Sequence, residues 1–241
     1  MFRRKKFCCF LERGKWDRYE TSVQLIHFSS ILFPFANLKK LIFRNSKVGK
    51  SKPSTVIIGV TGLPASGKNE FGEVAKHKGF KQIIMGDVIR NECIRRGLEP
   101  TRENSNKIMI QLRKEEGDGI VAQRVLQQVR DLLEKGENLI LIDGLRSPEE
   151  VQLFREHFPN FKVIAIHASP NVRRARTLKR QRNDDSTSEE AFRERDEKEL
   201  EVGIGNVIAL ADYLLSPPNN LQAARHLFKE FLNHLMAGEV N

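Results

Sequence analysis

Five short apolar runs alternate along the chain with longer segments whose apolar residues recur at helical spacing, and this alternation constrains the fold more than any other feature. The runs predict strands at residues 54–60, 81–85, 138–144, 161–169 and 212–216. Each run is almost continuously apolar and rich in β-branched residues, as expected of strands that are buried on both faces. The sequence therefore predicts an α/β fold in which helices cover both faces of a five-stranded parallel sheet.

The segments between the predicted strands predict helices at 68–78, 86–98, 103–115 and 118–134, then from Pro148 and from Pro170, and finally at 219–236. One start is marked by a capping signature, because Ser147 is followed by Pro148 and then by Glu150. Ligands of parallel sheets bind at the carboxyl ends of the strands, so we expect a site at this edge.

Positive charge is concentrated in the first quarter of the chain. The formal net charge is +10, but residues 1–54 hold 13 Lys and Arg against three acids, which leaves 28 basic and 28 acidic residues from 55 onward. We expect one domain at 55–241 and a separate basic extension at 1–54. The extension is interpreted as unstructured or as upstream sequence read from a misassigned start, with an organellar transit peptide as an open alternative.

The extension carries no membrane signal, because its apolar patch at 23–38 is shorter than the roughly 20 residues that a spanning helix needs. The chain has three cysteines, Cys8, Cys9 and Cys93, which build neither a disulfide framework nor a metal knuckle. These observations predict a cytoplasmic protein without a membrane partner.

A glycine-rich loop follows the first predicted strand in the stretch VTGLPASGKNEF, residues 60–71. Gly62, Gly67 and Lys68 match the Gly-x4-Gly-Lys pattern of a phosphate-binding loop, and Asn69 takes the place of the usual Ser or Thr. Between a strand and a helix N-terminus, backbone N–H groups and the helix dipole can hold phosphates. The predicted ATP-binding residues of the loop are Gly62, Leu63, Pro64, Ala65, Ser66, Gly67, Lys68 and Asn69. The alternative is a tight turn that merely joins strand to helix.

Two further motifs follow predicted strands, MGDVIR at 85–90 and LIDGLR at 141–146. In the first, Arg90 lies one helical turn after Gly86 and can point back to the strand ends. In the second, Asp143 stands where a carboxylate can hold magnesium through water, and Arg146 follows at the mouth of the site. The alternative for Asp87 and Asp143 is a helix-capping or turn aspartate.

A basic run at 172–198 supplies more arginines, with Arg176 and Arg180 on one helical face, Arg182 before an Asp pair, and Arg195 on an acidic helix. A solvated helix surface is the ordinary explanation of such a run. Phosphoryl transfer instead needs fixed cations around developing charge and little covalent chemistry, so arginines beside a phosphate loop favour a functional role.

The motifs GLPASGKN, MGDVIR, IDGLR and RNDD together resemble the nucleoside monophosphate kinase group of P-loop enzymes, adenylate kinase most clearly and dephospho-CoA kinase next. The stretches IAIHASP, ERDEKEL and VGIGNVIALADYLL resemble an archaeal family of ATP-binding proteins related to adenylate kinase. The resemblance covers about residues 55–236. It implies a P-loop core, a helical acceptor-binding region after the second strand and a short mobile lid.

The resemblance also implies roles for single residues. Arg176 would lie near the adenine of ATP, and Asp143 with Asn69 would support the magnesium ion. Asp87 and Arg90 would hold the acceptor, and Arg146 would bridge the donor and acceptor phosphates. The implied catalytic residues are Lys68, Asp87, Arg146, Arg182 and Arg195, the last two closing over the transferring group. Met85, where the group has Thr or Ser, argues against AMP as the acceptor.

These patterns predict an ATP-binding phosphotransferase that moves the γ-phosphoryl group of Mg-ATP to a small phosphorylated acceptor, with a nucleotide as the first expectation. Two alternatives belong to other classes. The first is a regulatory protein that binds ATP without efficient transfer, which Asn69 favours. The second is a nucleic-acid binder, which rests on the basic extension alone and which the neutral body argues against. The sequence leaves the oligomeric state open.

Overall fold

The computed structural model describes residues 55–117, 119–180 and 188–239. Its strands form one sheet in the spatial order β2-β3-β1-β4-β5, and all neighbouring strands are parallel. The strands are β1 (Val56–Thr61), β2 (Lys81–Ile84), β3 (Leu139–Leu145), β4 (Lys162–Ile166) and β5 (Tyr213–Leu215). The predicted α/β fold with five parallel strands is confirmed. All five carboxyl ends therefore meet at one edge of the sheet.

The described residues contain the predicted helices and one more. They are α1 (Lys68–His77), α2 (Met85–Arg95), α3 (Arg102–Glu116), α4 (Ile120–Glu134), α5 (Pro148–His157), α6 (Pro170–Arg180), α7 (Glu189–Val202), α8 (Ile204–Ala209) and α9 (Leu221–Ala237). Helices α2 to α4 form the helical region expected after the second strand. The unpredicted element is α8, which has only six residues.

An apolar core lies on each face of the sheet. One core packs Ile58, Val60 and Ile164 of the strands against Phe71 of α1 and Phe228 of α9. The two phenylalanine rings meet edge to face with their centroids 5.4 Å apart, a favoured aromatic geometry. The other core is larger and packs the opposite face against α2, α4 and α5. Helices thus cover both faces, as predicted.

Several element boundaries differ from the prediction. Strand β2 ends at Ile84, and Met85 begins α2 instead of ending the strand. Strand β4 ends at Ile166, so residues 167–169 form the loop that leads to α6. Gly144, with φ of +101°, lies inside β3 where the register of its pairing with β1 shifts by one residue. Only glycine adopts this backbone readily, and the bulge re-aims the chain after Asp143.

Two predicted features lie outside the described residues. They are the basic extension at 1–54 and Arg182, which stands in the 181–187 segment. Among the helices of the described residues, none combines the length and apolar character that a membrane-crossing helix requires.

Candidate functional site

The loop between β1 and α1 has a backbone that depends on its glycines. Gly62 has φ of +142° and Gly67 has φ of +120°, both in the range that favours glycine. A Cβ atom on Gly62 would lie 2.3 Å from the carbonyl oxygen of Ile166 at the end of β4. Both glycines of the sequence pattern are therefore required by the loop geometry, apart from any ligand.

Polar groups in this loop lack partners of their own. Gly67 caps α1 without a side-chain hydrogen bond to the first turn, which leaves its N–H groups without a side-chain acceptor. Ser66 is buried, and its Oγ atom has no hydrogen-bond partner within the described part of the chain. A buried hydroxyl without a partner is uncommon in native proteins. The loop thus fits a ligand that carries many acceptor oxygens, such as a chain of phosphates.

Lys68 is the cation of this loop. Its Nζ atom donates to the carbonyl oxygens of Gly62 and, at 3.2 Å, of Leu63. Burial lowers the pKa of Lys68 to about 8, and the carboxylates of Asp143 and Glu199 partly oppose this effect. The ammonium group is thus held by neutral carbonyls, and a phosphate would be a stronger partner for it.

Asp143 lies at the carboxyl end of β3, where Gln82 of β2 donates to its Oδ2 atom at 2.8 Å. Burial raises the pKa of Asp143, whereas Lys68 and the Gln82 hydrogen bond oppose the rise. Thr61 donates to the carbonyl oxygen of Leu145 at 2.7 Å and so ties β1 to the residues that follow Asp143. The position of this carboxylate is fixed from both neighbouring strands.

The two predicted metal ligands, Asn69 and Asp143, line the same cleft beside Lys68. The described residues contain no cluster of three or more His, Cys, Asp and Glu that could hold a metal by themselves. Magnesium in phosphoryl-transfer sites keeps several waters and takes one or two protein oxygens together with substrate phosphates. A carboxylate and an amide oxygen beside a phosphate loop fit this pattern.

A larger cavity of about 430 Å³ opens between α2, α3 and α7. Five cationic side chains line it, and Ile89, Met109 and Val202 supply apolar wall. The cations are Arg90, Arg102, Arg146, Arg195 and Lys198. Glu199 is the one acidic residue among the described residues of the lining. Such a cavity suits an organic molecule that carries negative charge.

The phosphate-loop cavity, about 140 Å³ in volume, contains Lys68 and Asn69 in its lining. Arg146, Arg195 and Glu199 line both this cavity and the larger one. Arg146 Nε lies 3.3 Å from Glu199 Oε2, so an ion pair stands in the shared wall. The backbone of Arg146 is fixed by Glu150, which accepts its N–H at 2.7 Å while completing the predicted capping box with Ser147.

The remaining predicted site residues fall in different places. Arg90 lines the larger cavity and pairs with Asp87, which is half exposed and is absent from the linings of both cavities. In this arrangement Asp87 orients Arg90 and does not face the larger cavity. Arg176 donates to the carbonyl oxygen of Ser66 at 2.8 Å and to Asn219 Oδ1 at 3.3 Å. It therefore lies against the phosphate loop, beside the segment that leads into α9.

Sequence reasoning missed Arg173, a fully buried arginine of α6. It donates a hydrogen bond to the carbonyl oxygen of Pro64 in the phosphate loop at 3.3 Å. It also forms a bidentate ion pair with Asp196 of α7, with N–O distances of 2.8 and 2.5 Å. Its guanidinium also lies over the ring of Phe192, 5.0 Å from the centroid. Arg173 thereby joins the loop to the helix that carries Arg195 and Glu199.

Glu199 and Gln82 were also missed. Glu199 stands in the stretch ERDEKEL, where nearly every residue is charged and no single one is conspicuous. The available signal was spacing, because Phe192, Arg195 and Glu199 lie three and four residues apart and share one face of α7. Gln82 offered no signal, since a lone amide in a strand is common.

Comparison with known proteins agrees with this architecture. A family model described as AAA domain matches residues 61–193. A UPF0200 protein of Thermococcus onnurineus is 47% identical over 162 residues, covering 66% of this chain and 87% of the relative. The chain belongs to the UPF0200 family. A UPF0200 relative from Methanothermobacter thermautotrophicus is 40% identical over 180 residues, covering 75% of this chain and 90% of its own. The predicted membership of an archaeal P-loop family is confirmed.

Solved structures show the same fold at low identity. A shikimate kinase from Bacteroides thetaiotaomicron superposes with a TM-score of 0.50 at 15% identity, covering 75% of this chain and 99% of its own. A dephospho-CoA kinase from Campylobacter jejuni gives 0.50 at 17% identity, covering 76% and 98%. This UPF0200 chain therefore has the fold of P-loop kinases.

Proposed function

We propose that this protein is an ATP-dependent phosphotransferase that moves the γ-phosphoryl group of Mg-ATP to a small phosphorylated acceptor, with a nucleotide as the first candidate. One observation carries the proposal. A phosphate-loop cavity and a cationic cavity large enough for a small organic anion share a wall, and Arg146 and Arg195 stand in it. Transfer needs the two substrates to meet between fixed cations, and this wall is where they would meet.

On the donor side, the loop N–H groups and Lys68 would hold the phosphates of ATP, and Arg176 would lie toward the nucleoside. Asn69 and Asp143 would hold the magnesium ion, which would neutralise charge on the phosphates when bound. The chain itself supplies positioning: Gln82 fixes Asp143, and Arg173 fixes the loop relative to α7. Phosphate oxygens that took the place of these carbonyls would give Lys68 a negatively charged partner.

On the acceptor side, Arg90 would bind the anionic group of the acceptor, oriented by its ion pair with Asp87. Arg146 and Arg195 would stabilise the charge that develops on the transferring group. Arg182 lies outside the described residues, and on the resemblance alone it would act on the same group. Every group named acts by position and charge, which is the form of catalysis that phosphoryl transfer requires.

The second candidate is an ATP-binding regulatory protein without efficient transfer, and Asn69 is the observation that favours it. Asn69 is exposed and carries its oxygen on a longer side chain than Ser, which is a weaker fit to strict octahedral magnesium. Tight ATP binding that is independent of magnesium, without product, would identify this function.

The test uses the full chain, Mg-ATP and a panel of nucleoside monophosphates and dephospho-CoA, with ADP and phosphorylated product quantified by liquid chromatography. We expect acceptor-dependent ADP formation, and we expect Arg146→Met to reduce it by roughly 10²-fold or more. The matched control is Arg193→Met, which removes an exposed arginine of α7 that is absent from both cavity linings. Absence of product with every acceptor would overturn the proposed function.

A further inference from the structure

Glu199 is the acidic member of the wall between the two cavities. Its neighbours in that wall, Arg146 and Arg195, are the cations that a transferring phosphoryl group needs, whereas a carboxylate there would repel phosphate. The location of this carboxylate therefore calls for a chemical reason.

The Glu199 carboxylate is largely buried, and one of its oxygens lacks a hydrogen bond within the described residues. Its side chain is 15% exposed, and Oε2 is shielded from solvent with no hydrogen bond within the described residues, although Arg146 Nε is 3.3 Å away. Charged groups surround it from three elements: Lys68 of α1, Arg146 after β3, and Arg195 of the same helix, with Asp143 also acting on Lys68. Buried carboxylates with unsatisfied oxygens are rare outside sites where a proton or ligand is exchanged.

The two classes of phosphoryl acceptor differ in their need for such a group. An acceptor phosphate is already anionic at neutral pH, so it needs no base and is repelled by a carboxylate. An acceptor hydroxyl carries a proton that has to leave as its oxygen attacks phosphorus, and a carboxylate within reach can take it. Two other acids of the described residues lie nearby: Asp87 is paired with Arg90 and lies outside both linings, and Asp143, in the adjoining cleft, is the proposed magnesium ligand.

We propose that the acceptor attacks through a hydroxyl group and that Glu199 takes up its proton; this inference rests on the phosphotransferase function proposed above. The acceptor is thus an alcohol that also bears an anionic group, phosphate or carboxylate. Arg90, Arg102 and Lys198 line the larger cavity, in which the acceptor would bind, and do not line the phosphate-loop cavity. In this proposal they hold the anionic group of the acceptor. Ile89 and Met109 pack against its carbon skeleton.

The step balances as an in-line displacement. The hydroxyl oxygen forms a bond to the γ-phosphorus of ATP, and the bond from that phosphorus to the β,γ-bridging oxygen breaks. The electron pair of the broken bond leaves on ADP. The hydroxyl proton passes to the Glu199 carboxylate and then to solvent, which returns the carboxylate to its starting state. No oxidant or further reactant is needed.

The first experiment compares two sets of acceptors with the full chain and Mg-ATP, and phosphorus NMR identifies the bond formed. One set attacks through phosphate: AMP, CMP, GMP and UMP. The other attacks through hydroxyl: dephospho-CoA, shikimate and glycerol 3-phosphate, which separates phosphate from carboxylate anchors. We expect a phosphate ester in the hydroxyl set. Product only in the phosphate set would overturn this inference and leave the proposed function standing, whereas no product in either set would overturn the proposed function.

The second experiment tests Glu199 with the accepted hydroxyl substrate. Glu199→Gln should lower kcat by roughly 10²–10⁴-fold and abolish the acidic limb of the pH profile of kcat. Glu199→Asp should restore part of kcat. The matched control is Glu201→Gln, an exposed glutamate of the same helix. A pH-independent loss of less than tenfold in Glu199→Gln would show that Glu199 only positions Arg146 and would overturn the proposal.

Discussion

In the free protein Lys68 is buried and donates its hydrogen bonds to backbone carbonyls, and this has a consequence for ligand binding. Its pKa is lowered to about 8, so the side chain loses its proton near that pH when no ligand is present. Phosphates favour the protonated form and raise the pKa in the complex. Linkage then requires that the affinity for ATP falls as pH rises above about 8.

We expect the affinity for a non-hydrolysable ATP analogue to fall roughly fivefold to tenfold between pH 7.5 and 9. The measurement is isothermal titration calorimetry at constant ionic strength. Lys68→Met should bind more weakly and show little pH dependence over the same range. An unchanged affinity in the wild-type chain would show that Lys68 does not contact the phosphates.

Asn69 gives a second prediction at the scale of one residue. If its amide oxygen contributes to magnesium binding beside Asp143, Asn69→Ala should weaken the magnesium-dependent part of ATP binding by roughly tenfold, the lower bound typical of groups that support a metal site. Asn69→Ser should equal or exceed the wild-type chain, since Ser is the usual residue of such loops. Equal magnesium dependence in all three proteins would remove Asn69 from the metal site.

The residues that sequence reasoning could not identify are those whose partners lie far away along the chain. Lys68 can be identified from the sequence because it belongs to the short Gly-x4-Gly-Lys pattern. Asp143 can be identified because it follows an apolar run that predicts a strand. Glu199 meets Arg146 only in the folded chain, because more than 50 residues separate the two. Arg173 was read with the basic run as surface or site, but it is fully buried because Asp196 and two backbone carbonyls satisfy its guanidinium.

At the scale of elements, two ion pairs of the described residues join helices α6 and α7, one in the interior and one at the surface. The buried pair is Arg173 with Asp196, and the exposed pair is Arg174 with Glu189, at 3.1 Å. Removing one partner of a buried pair leaves an uncompensated charge, whereas an exposed pair contributes little. The two pairs therefore offer a matched comparison between the same helices.

Arg173→Met should lower the free energy of unfolding by about 3–5 kcal/mol, because it leaves the Asp196 carboxylate without its partner. Arg174→Met should lower it by less than about 1 kcal/mol. Urea unfolding followed by far-ultraviolet circular dichroism measures both. Similar values for the two variants would contradict the view that Arg173 anchors the phosphate loop to α7.

The spacing of apolar residues predicts the long helices and strands of this protein but not its shortest helix. Long amphipathic helices such as α4 and continuous apolar strands such as β3 were predicted because their spacing is unambiguous. Helix α8 was not, since six residues with a glycine among them are too few to establish a period. Met85 was assigned to β2 by its apolar character, although the chain already turns into α2 there.

At the scale of the whole molecule, acid stability depends on a buried carboxylate outside the candidate site. Glu92 of α2 accepts hydrogen bonds from Arg95 and Arg96 of its own segment and from Arg124 of α4. These bonds lower the pKa of Glu92 from 4.5 to about 2. The carboxylate therefore stabilises the fold above pH 4.5, and this contribution is lost as pH falls from 4.5 toward 2.

Glu92→Gln should lower the free energy of unfolding at pH 7 by about 1.5–3 kcal/mol, the range for hydrogen bonds to charged groups. The difference from the wild-type chain should shrink as pH falls through the same window, and chemical unfolding at pH 7, 5, 4 and 3 measures it. Glu103→Gln, which breaks an exposed pair with Lys107, is the control and should change stability little. A difference that stays constant down to pH 3 would contradict the assigned cause.

If the two cavities bind the proposed substrates, their shared wall would also couple the two binding equilibria. Arg146, Arg195 and Glu199 face both ligand spaces, so a ligand in one space changes the field that a ligand in the other meets. By thermodynamic linkage, the factor by which ATP would change the affinity for the acceptor equals the factor by which the acceptor would change the affinity for ATP. The affinity for one substrate would therefore depend on whether the other is already bound, even before phosphoryl transfer takes place.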